Sequence, residues 1–432
     1  MKELTNTPIL RFPEFKSTWH RSTIEKSGLK IIDGDRGNNY PNGSDFSLSG
    51  YCLFLNAKNV TKSGFNFSET SFITKTKDEQ LRKGKLKRYD IVLTTRGTVG
   101  NIAFFSDKIP FGHIRINSGM VIIRNENTEI SQAYLYILLS SPEKRKKLVE
   151  VSFGSAQPQL TVSQIYKLKI EYPSIEEQYK LAKFLSSFET KIQQLSLKKQ
   201  LLEQYKLEII QRIFTQEVRF KDSHGNAFPN WKEYKMGDFD FHPTNSLSRT
   251  QLNYDTGKIK NVHYGDIHTR LKSNFILNRE EIPFINIDVD ASKISNDSYL
   301  KVGDLIIADA SEDYKDIGKS IEVIDLNNCK IVAGLHTILL RDSKQLTAVG
   351  FKGYMMQTQY IRMQLMRYST GSSVLGITKS NVAKIKIKLP TIDEQKKIVA
   401  FLTDLDDKID CVIKQFIQAQ KFKRGLLQQM FI

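Results

Sequence analysis

The residues that most often carry chemistry are thinly spread in this chain. Its seven histidines are His20, His113, His224, His242, His263, His268 and His336. Only His263 and His268, five apart in a Gly-containing turn, come near metal-ligand spacing. Cys52, Cys329 and Cys411 are odd in number and far apart. They suit a reducing cytoplasm and give neither a disulfide framework nor a Cys-based zinc site. Ile317-Gly318-Lys319-Ser320 matches the end of a phosphate-binding loop, but that motif needs glycine at position 313, where Asp313 stands. The chain has no Asn-Pro-Pro-Tyr motif, no Gly-rich strand-to-helix turn for a methyl donor and no nucleophile elbow. Scattered carboxylates leave an acidic nuclease centre open. No catalytic residue and no metal ligand is assigned.

What remains is "TTRGTVGN" (94–101), matched loosely by "SEDYKDIGK" (311–319). Gly97 and Gly100 allow a sharp turn or a close backbone approach to phosphate. Arg96 and Thr98 flank Gly97, and an arginine there can reach a base edge or a phosphate. A plain hairpin turn after a buried strand accounts for the same residues. The loops at Gly154 and Gly371, each before a basic strand, carry the same two readings.

The 432 residues exceed one ordinary core and suggest two domains. A 40 % hydrophobic, 26 % charged composition is that of a globular protein. The longest apolar run, Ala133 to Leu139, is too short to span a bilayer, and "MKELTNTPIL" lacks a signal-peptide core. A cytoplasmic protein is expected. The net charge is +17. Residues 1–172 hold 26 Lys+Arg against 16 Asp+Glu, and residues 218–389 hold 24 against 19. Segments 173–217 and 390–432 hold 7 against 6 each. The excess therefore lies outside those two segments, where a polyanion could release counterions on binding; a solvated basic surface is the plain alternative.

Those two segments echo each other. "PSIEEQYKLAKFLSSFETKI" (173–192) returns as "PTIDEQKKIVAFLTDLDDKI" (390–409). At a shift of 217 the match runs ungapped from Gly154/Gly371 to Phe214/Phe431. "MVIIR" (120–124) falls on "TILLR" (337–341) at the same shift, and Asp90–Leu93 on Asp304–Ile307 at 214. "RFPEFKSTW" (11–19) resembles "RF" (219–220) followed by "FPNW" (228–231). One module of about 217 residues is used twice. The match fails between 20–85 and 240–295.

Each module ends in a predicted helix, opened by Ser174-x-x-Glu177 or Thr391-x-x-Glu394 as capping boxes. Apolar residues then recur at 3–4 spacing: Leu181, Leu185, Phe188, Ile192 and Leu195 in the first, Ile398, Leu402, Leu405, Ile409 and Val412 in the second. Lys199, Lys206 and Lys423 interrupt the rows. This is a coiled-coil seam on helices of about 60 Å, and each helix is expected to pair with its counterpart. Before each helix the pattern is mixed, an α+β class. Strands are expected at "DIVLTT", "NIAFF" and "GMVIIR", and again at "DLIIAD", "KSIEVI" and "HTILL". Single helices are expected over 132–149 and 349–366, and a last strand, "YKLKIEYP" or "AKIKIKLP", feeds each long helix.

Together these features resemble the specificity subunit of a type I restriction–modification system. The resemblance rests on the tandem order, on "YPSIEEQ" and "LPTIDEQ", on "RGTVGN" and "DIGK", and on the "RFPEF…W" and "RF…FPNW" module starts. It implies target-recognition domains at 1–172 and 218–389, each reading half of a bipartite DNA site, and spacer helices at 173–217 and 390–432. These helices would pair as an antiparallel coiled coil with pseudo-twofold symmetry. Two modification subunits would dock there, bringing S-adenosylmethionine, and ATP-driven restriction subunits would cut, with Mg; this chain would hold no cofactor. Candidate DNA contacts are Arg96, Gly97, Thr98 and Arg115 in the first domain, and Lys258, Lys260, Arg270 and Lys319 in the second. Two other readings compete. One is a stand-alone DNA-acting enzyme, a nuclease with a coiled-coil dimerisation region; the other is a coiled-coil scaffold, which the long basic globular parts disfavour.

Overall fold

The computed structural model describes residues 7–127, 129–152 and 158–432. Its contacts divide the chain into two units, 1–196 with 414–432, and 197–413. The division is not sequential, because each unit takes part of both long helices, Ile175–Phe214 and Ile392–Gln429.

In the first unit a four-stranded antiparallel sheet runs Lys30–Asp33, Met120–Arg124, Ile91–Thr94, Ile102–Phe104. The expected strands are there, and their unbroken apolar runs have a cause. Ile91, Leu93, Val121 and Ile123 enter one core; Val92, Met120 and Ile122, on the opposite face, enter another. A sheet covered on both faces needs apolar residues at every position. The second core lies against a smaller sheet in which Cys52–Leu55 runs parallel to Ile114–Ile116. In the second unit Leu305–Ala308 and Thr337–Arg341 repeat this division, with Leu305, Ile307 and Leu340 on one face and Ile306, Ala308 and Leu339 on the other. There too a parallel pair, Lys260–Val262 with Ile331–Ala333, forms the smaller layer.

Two charged motifs fix both copies. Arg124 holds Asp90 through Nε (3.0 Å) and Nη2 (2.6 Å), and Arg341 holds Asp304 in the same way (2.8 and 2.7 Å). This explains why "MVIIR" and "TILLR" recur with an aspartate before the neighbouring strand. Each module start is pinned to its own helix opening. Arg11 forks onto Glu177 (2.8 and 2.7 Å) and Arg219 onto Glu394 (3.1 and 2.7 Å), while Phe12 meets Phe184 and Phe220 meets Phe401 edge-on. The neighbouring glutamines are spent on backbone. Gln178 accepts from Ser131 and donates to Glu129 and Pro173; Gln395 accepts from Ala348 and donates to Leu346 and Pro390.

Three expectations are corrected. Glu177 and Glu394 do not close capping boxes, since their carboxylates are taken by arginines from the module starts. The single helix expected over 132–149 is two, Gln132–Ser140 and Pro142–Ser152. Pro142 lacks an N–H, and Ser141 before it is extended, as a residue preceding proline prefers. Its counterpart breaks likewise into Phe351–Met355 and Gln359–Tyr368, with Thr358 capping the second piece.

The long helices run antiparallel within each unit. In the first, Leu181 and Leu185 share a core with Leu426, Leu427 and Met430. In the second, Ile209 and Ile213 share one with Ile398, Leu402, Leu405 and Ile409. Leu195 and Val412 are buried, and Phe188 and Ile192 half-buried. Two of the lysines that interrupt the rows are paired across the helices: Lys206 with Asp406 (2.5 Å) and Lys423 with Glu189. Lys199 pairs along its own helix with Glu203.

Replacing Arg11 by Ala leaves the Glu177 carboxylate buried without its cation. This should cost about 3–5 kcal/mol in urea unfolding, and the double replacement Arg11→Met/Glu177→Met should recover most of it. A second test uses pH. Half-buried Glu280 has its carboxyl pushed up by burial from 4.5 to about 7, although Lys272 donates a backbone N–H to it. A pKa raised on folding means that the native state holds the extra proton. Stability from this group is therefore full below about pH 4.5 and lost as pH rises through 7. Glu280→Gln should melt above the wild type at pH 8 and level with it at pH 4.

Candidate nucleic-acid interface

Strand 91–94 leaves the core at Thr94 and turns back at Asn101. Thr94 closes the loop with its own hydroxyl, which donates to the carbonyl of Thr98 and accepts from the Asn101 N–H (3.0 Å). Thr95 and Arg96 donate their N–H groups to Gly119 O (2.8 and 3.2 Å), and Leu160 N–H bonds Thr95 O (3.0 Å). The loop is thus braced on two sides while its tip points outward. Arg96, Gly97 and Thr98 are exposed, and Arg96 makes no ion pair among the described residues. Gly97 has φ +71° and open space where a side chain would stand. Gly100 and Gly318 occupy the same register position, before Ile102 opposite Leu93 and before Ser320 opposite Ile307. Both have positive φ; a side chain on Gly318 would lie 2.7 Å from Leu365 Cδ2. The glycine of "IGKS" is there for packing.

The turn that receives Arg96 carries more cation. Arg36 reaches Ser118 O (3.4 Å) and pairs with Asp33 (3.0 Å). Asp35 orders its surroundings by accepting from the N–H groups of Gly37 (2.8 Å) and Arg82 (2.7 Å). Burial would raise its pKa, but these donors outweigh it and hold the carboxyl below the usual range. Arg36, Arg82 and Lys83 lie exposed on this border. The sequence reading passed them over because their loop falls where the copies do not align.

Arg115 is not a surface group, and its assignment as a DNA contact is withdrawn. It is buried; its Nε donates to Asp78 (2.5 Å) and its Nη groups donate to the carbonyls of Lys83, Asp78 and Leu81. Nε and both Nη nitrogens are engaged in tying the 78–83 turn to strand 114–116.

The second unit repeats the frame with other side chains. Asp309 N–H donates to His336 O (3.1 Å), as Thr95 does to Gly119. His336, with φ +55°, also places its Nδ1 3.2 Å from Asp309 Oδ1. Burial raises the Asp309 carboxyl and the imidazole opposes it. Lys258 is exposed. Lys260 is half-buried, with its ammonium on Ile282 O (3.2 Å) and 4.0 Å from the Phe284 ring. Lys319 donates to His268 O (2.8 Å), and Arg270 pairs with Asp266 (2.9 Å), so these two gather around the short helix Tyr264–Thr269. Arg249, from far upstream, joins the same aspartate. The i,i+4 spacing of Asp266 and Arg270 was visible in sequence; the third partner was not. Gly371 has φ +127° and a Cβ there would lie 2.1 Å from Val374 O, so this glycine is required by its turn. Gly154 lies outside the described residues.

Among the described residues no three of His, Cys, Asp and Glu are grouped to hold a metal ion, and no helix is long and apolar enough to cross a membrane. Burial beside Asp78 pushes the Cys52 thiol up to about 12, too high for a thiolate nucleophile.

Residues 7–204 and 230–419 match the sequence family described as the type I restriction modification DNA specificity domain. The type I restriction enzyme MjaVIII specificity subunit of Methanocaldococcus jannaschii is 24 % identical over 323 residues, 72 % of each chain. The crystal structure of a type I restriction-modification system S subunit from M. genitalium aligns over 99 % of both chains with a TM-score of 0.58 at 15 % identity. A chain from a structure concerned with complex assembly and conformational transition of the type I R-M system aligns over 96 % of this chain and 97 % of its own, with a TM-score of 0.53 at 15 % identity. At such identity the two structures speak for the fold.

The two arginines of the first unit should separate cleanly in urea unfolding. Arg115→Ala strips a buried aspartate of one cation, leaving Lys85 on Asp78, and should cost about 3 kcal/mol. Arg96→Ala removes an exposed side chain and should change stability by less than about 0.5 kcal/mol.

Proposed function

The chain belongs to the type I restriction modification DNA specificity family, and from that premise we propose that its two mixed α/β parts each read one half of a bipartite, asymmetric DNA site. The observation that carries this reading is a frame kept in both copies while its outward positions change. The Asp90–Arg124 and Asp304–Arg341 braces match, and so do the backbone bonds Thr95–Gly119 and Asp309–His336. By the same register Arg96 in one copy corresponds to Ala310 in the other, and Gly119 to His336. Conserved support with altered presenting side chains is what two different half-sites require. The net charge of +17 supplies the sequence-independent attraction to phosphate.

The chain acts without catalysis of its own. Two modification subunits, carrying S-adenosylmethionine, and restriction subunits, using ATP and Mg, supply the chemistry on DNA in the cytoplasm. The long helices offer docking surface. Leu197, Leu201 and Tyr205 are about half exposed at successive i,i+4 positions, an apolar row left uncovered on the first helix. Arg96, Gly97, Thr98 and Lys258 are the proposed DNA-facing residues, with Lys260 and Lys319 adding charge beside them.

Co-expression with its modification partner, followed by adenine-methylation mapping across a genome, should return a two-part motif. Exchanging residues 1–172 for those of a relative should change one half and leave the other. Change in both halves would overturn independent reading. Methylation by the purified chain alone would overturn the non-catalytic role.

A further inference from the structure

The carboxylate of Asp266 is fully buried, yet it is surrounded by more positive charge than it needs. Arg249 donates to it from Nη1 (2.8 Å) and Nη2 (2.7 Å), Arg270 from Nη2 (2.9 Å), and the Tyr254 hydroxyl lies 3.1 Å away. Both guanidinium groups remain near the surface, with side chains 45 % and 43 % exposed. Two cations on one anion leave a net charge of +1 at this spot.

The two arginines are not equivalent. Arg249 spends both terminal nitrogens on Asp266. Arg270 spends only Nη2, on Asp266 and on the Tyr254 hydroxyl, and its Cζ lies over the Tyr254 ring, 4.7 Å from its centre. Its Nη1 and Nε have no partner among the described residues. Arg270 is thus clamped at one edge and on one face, with donors left over. A phosphate contact needs charge but little orientation. With Nη2 spent twice, no adjacent pair of N–H groups is left for a two-bond fork, but Nη1 or Nε can still give one hydrogen bond to the N7 acceptor of guanine, and a directional bond of that kind needs a guanidinium held in plane.

The equivalent place in the first unit shows what the frame needs without this function. Val262 pairs with Ala333, and Leu55 with Ile116, which stands 217 residues before Ala333. Four residues on lie Asp266 and Asn59, both buried, each three residues after a cap, His263 or Asn56. Asn59 spends its amide on the carbonyls of Asn66 (3.0 Å) and Glu69 (2.7 Å). A neutral side chain that bonds backbone therefore serves the turn, and the second copy alone carries a carboxylate with two arginines.

We propose that Asp266 is a positioning residue that holds Arg270 as the reader of a guanine in the half-site of the second domain, with Arg249 as a brace. The proposal rests on the reading of the chain as a specificity subunit.

The test uses the full chain with its modification partner. The methylation motif is mapped, and binding is measured on duplexes carrying the mapped site, with 7-deazaguanine replacing each guanine of the second half in turn to remove N7. Arg270→Ala should weaken cognate binding roughly 10- to 150-fold and relax one guanine position, leaving the first half intact. Arg270→Lys keeps the charge but loses the planar guanidinium that Asp266 and Tyr254 hold, and should behave like Arg270→Ala. One 7-deazaguanine should weaken the wild type and have no further effect on Arg270→Ala. Asp266→Asn should relax the same single position without changing the salt dependence, which a general loss of stability would not do. If Asp266→Asn fails to fold, the two Arg270 variants carry the test, because that side chain is partly exposed. The proposal is overturned if Arg270→Ala weakens all sequences alike and lowers the salt slope by about one, the mark of a phosphate contact. It is overturned equally if affinity and motif are unchanged. A wild-type complex that methylates no two-part motif would instead sink the underlying reading.

Discussion

A carboxylate removed from water must find a cation, and in this chain that requirement ties each module together. Glu177 and Glu394 are buried where the long helices begin, and the arginines that neutralise them stand some 170 residues earlier, at Arg11 and Arg219. Neither partner is tolerable alone in that setting, so the contact forms whole or not at all. Once it forms, the module's start and its helix opening are adjacent. The edge strand 20–23 can then pair with 169–172, and 232–235 with 386–389. The flanking glutamines, bonded to the loops at Glu129–Ser131 and Leu346–Ala348, fasten the helix opening to the first residues of the next helical segment. The recurrent Glu-Gln pair is therefore a fastening with two jobs, one ionic and one to backbone.

The far ends of the helices obey a different constraint. Phe431 packs with Trp19 and Tyr134, and Phe214 with Trp231 and Phe351. Trp19 and Trp231 belong to the two module starts, and Tyr134 and Phe351 are separated by the repeat shift of 217. Each aromatic trio thus draws its helix-end residue from the opposite repeat. In the first unit the second helix closes the core; in the second unit the first helix does. This is why contacts divide the chain as 1–196 with 414–432 against 197–413, and not at the boundaries that a linear reading of the repeat suggests.

What the sequence made legible follows from which physics is local. Strands with both faces buried announce themselves as apolar runs, and "DIVL", "MVIIR" and their echoes were found as such. The 3–4 spacing of Leu181, Leu185, Ile398 and Leu402 is likewise a local signal of a long amphipathic helix. The failures, the break at Pro142 apart, were cases where a distant residue decided. Glu177 has the spacing of a capping box, but Arg11 takes it. Arg115 has the composition of a DNA contact, but Asp78 and three carbonyls bury it. Lys206 and Lys423 interrupt an apolar row, but an acid from the opposing helix pairs with each. The break at Pro142 was local and could have been read, because proline constrains the residue before it.

The same distinction bears on where such a protein can vary. Asp90 and Glu394 are buried carboxylates, Arg124 and Arg219 are their half-buried partners, and a change in one member of a pair demands a simultaneous change in the other. Positions 96 and 336 are held by backbone bonds that do not depend on the side chain, which is exposed at both, although φ +55° at 336 favours glycine, asparagine and similar residues there. A duplicated frame of this kind can alter what it presents at one outward position without disturbing its core or its other copy. Position 266 is the instructive exception, because it is buried and yet differs from its counterpart, Asn59. A buried change is tolerated there because Arg249 and Arg270 arrive with the charge that balances it, both from the stretch where the copies no longer align. Divergence in the second unit thus reaches one layer below the surface where a local group of residues satisfies the buried carboxylate, and stops where the satisfying partner is an arginine or aspartate of the shared frame.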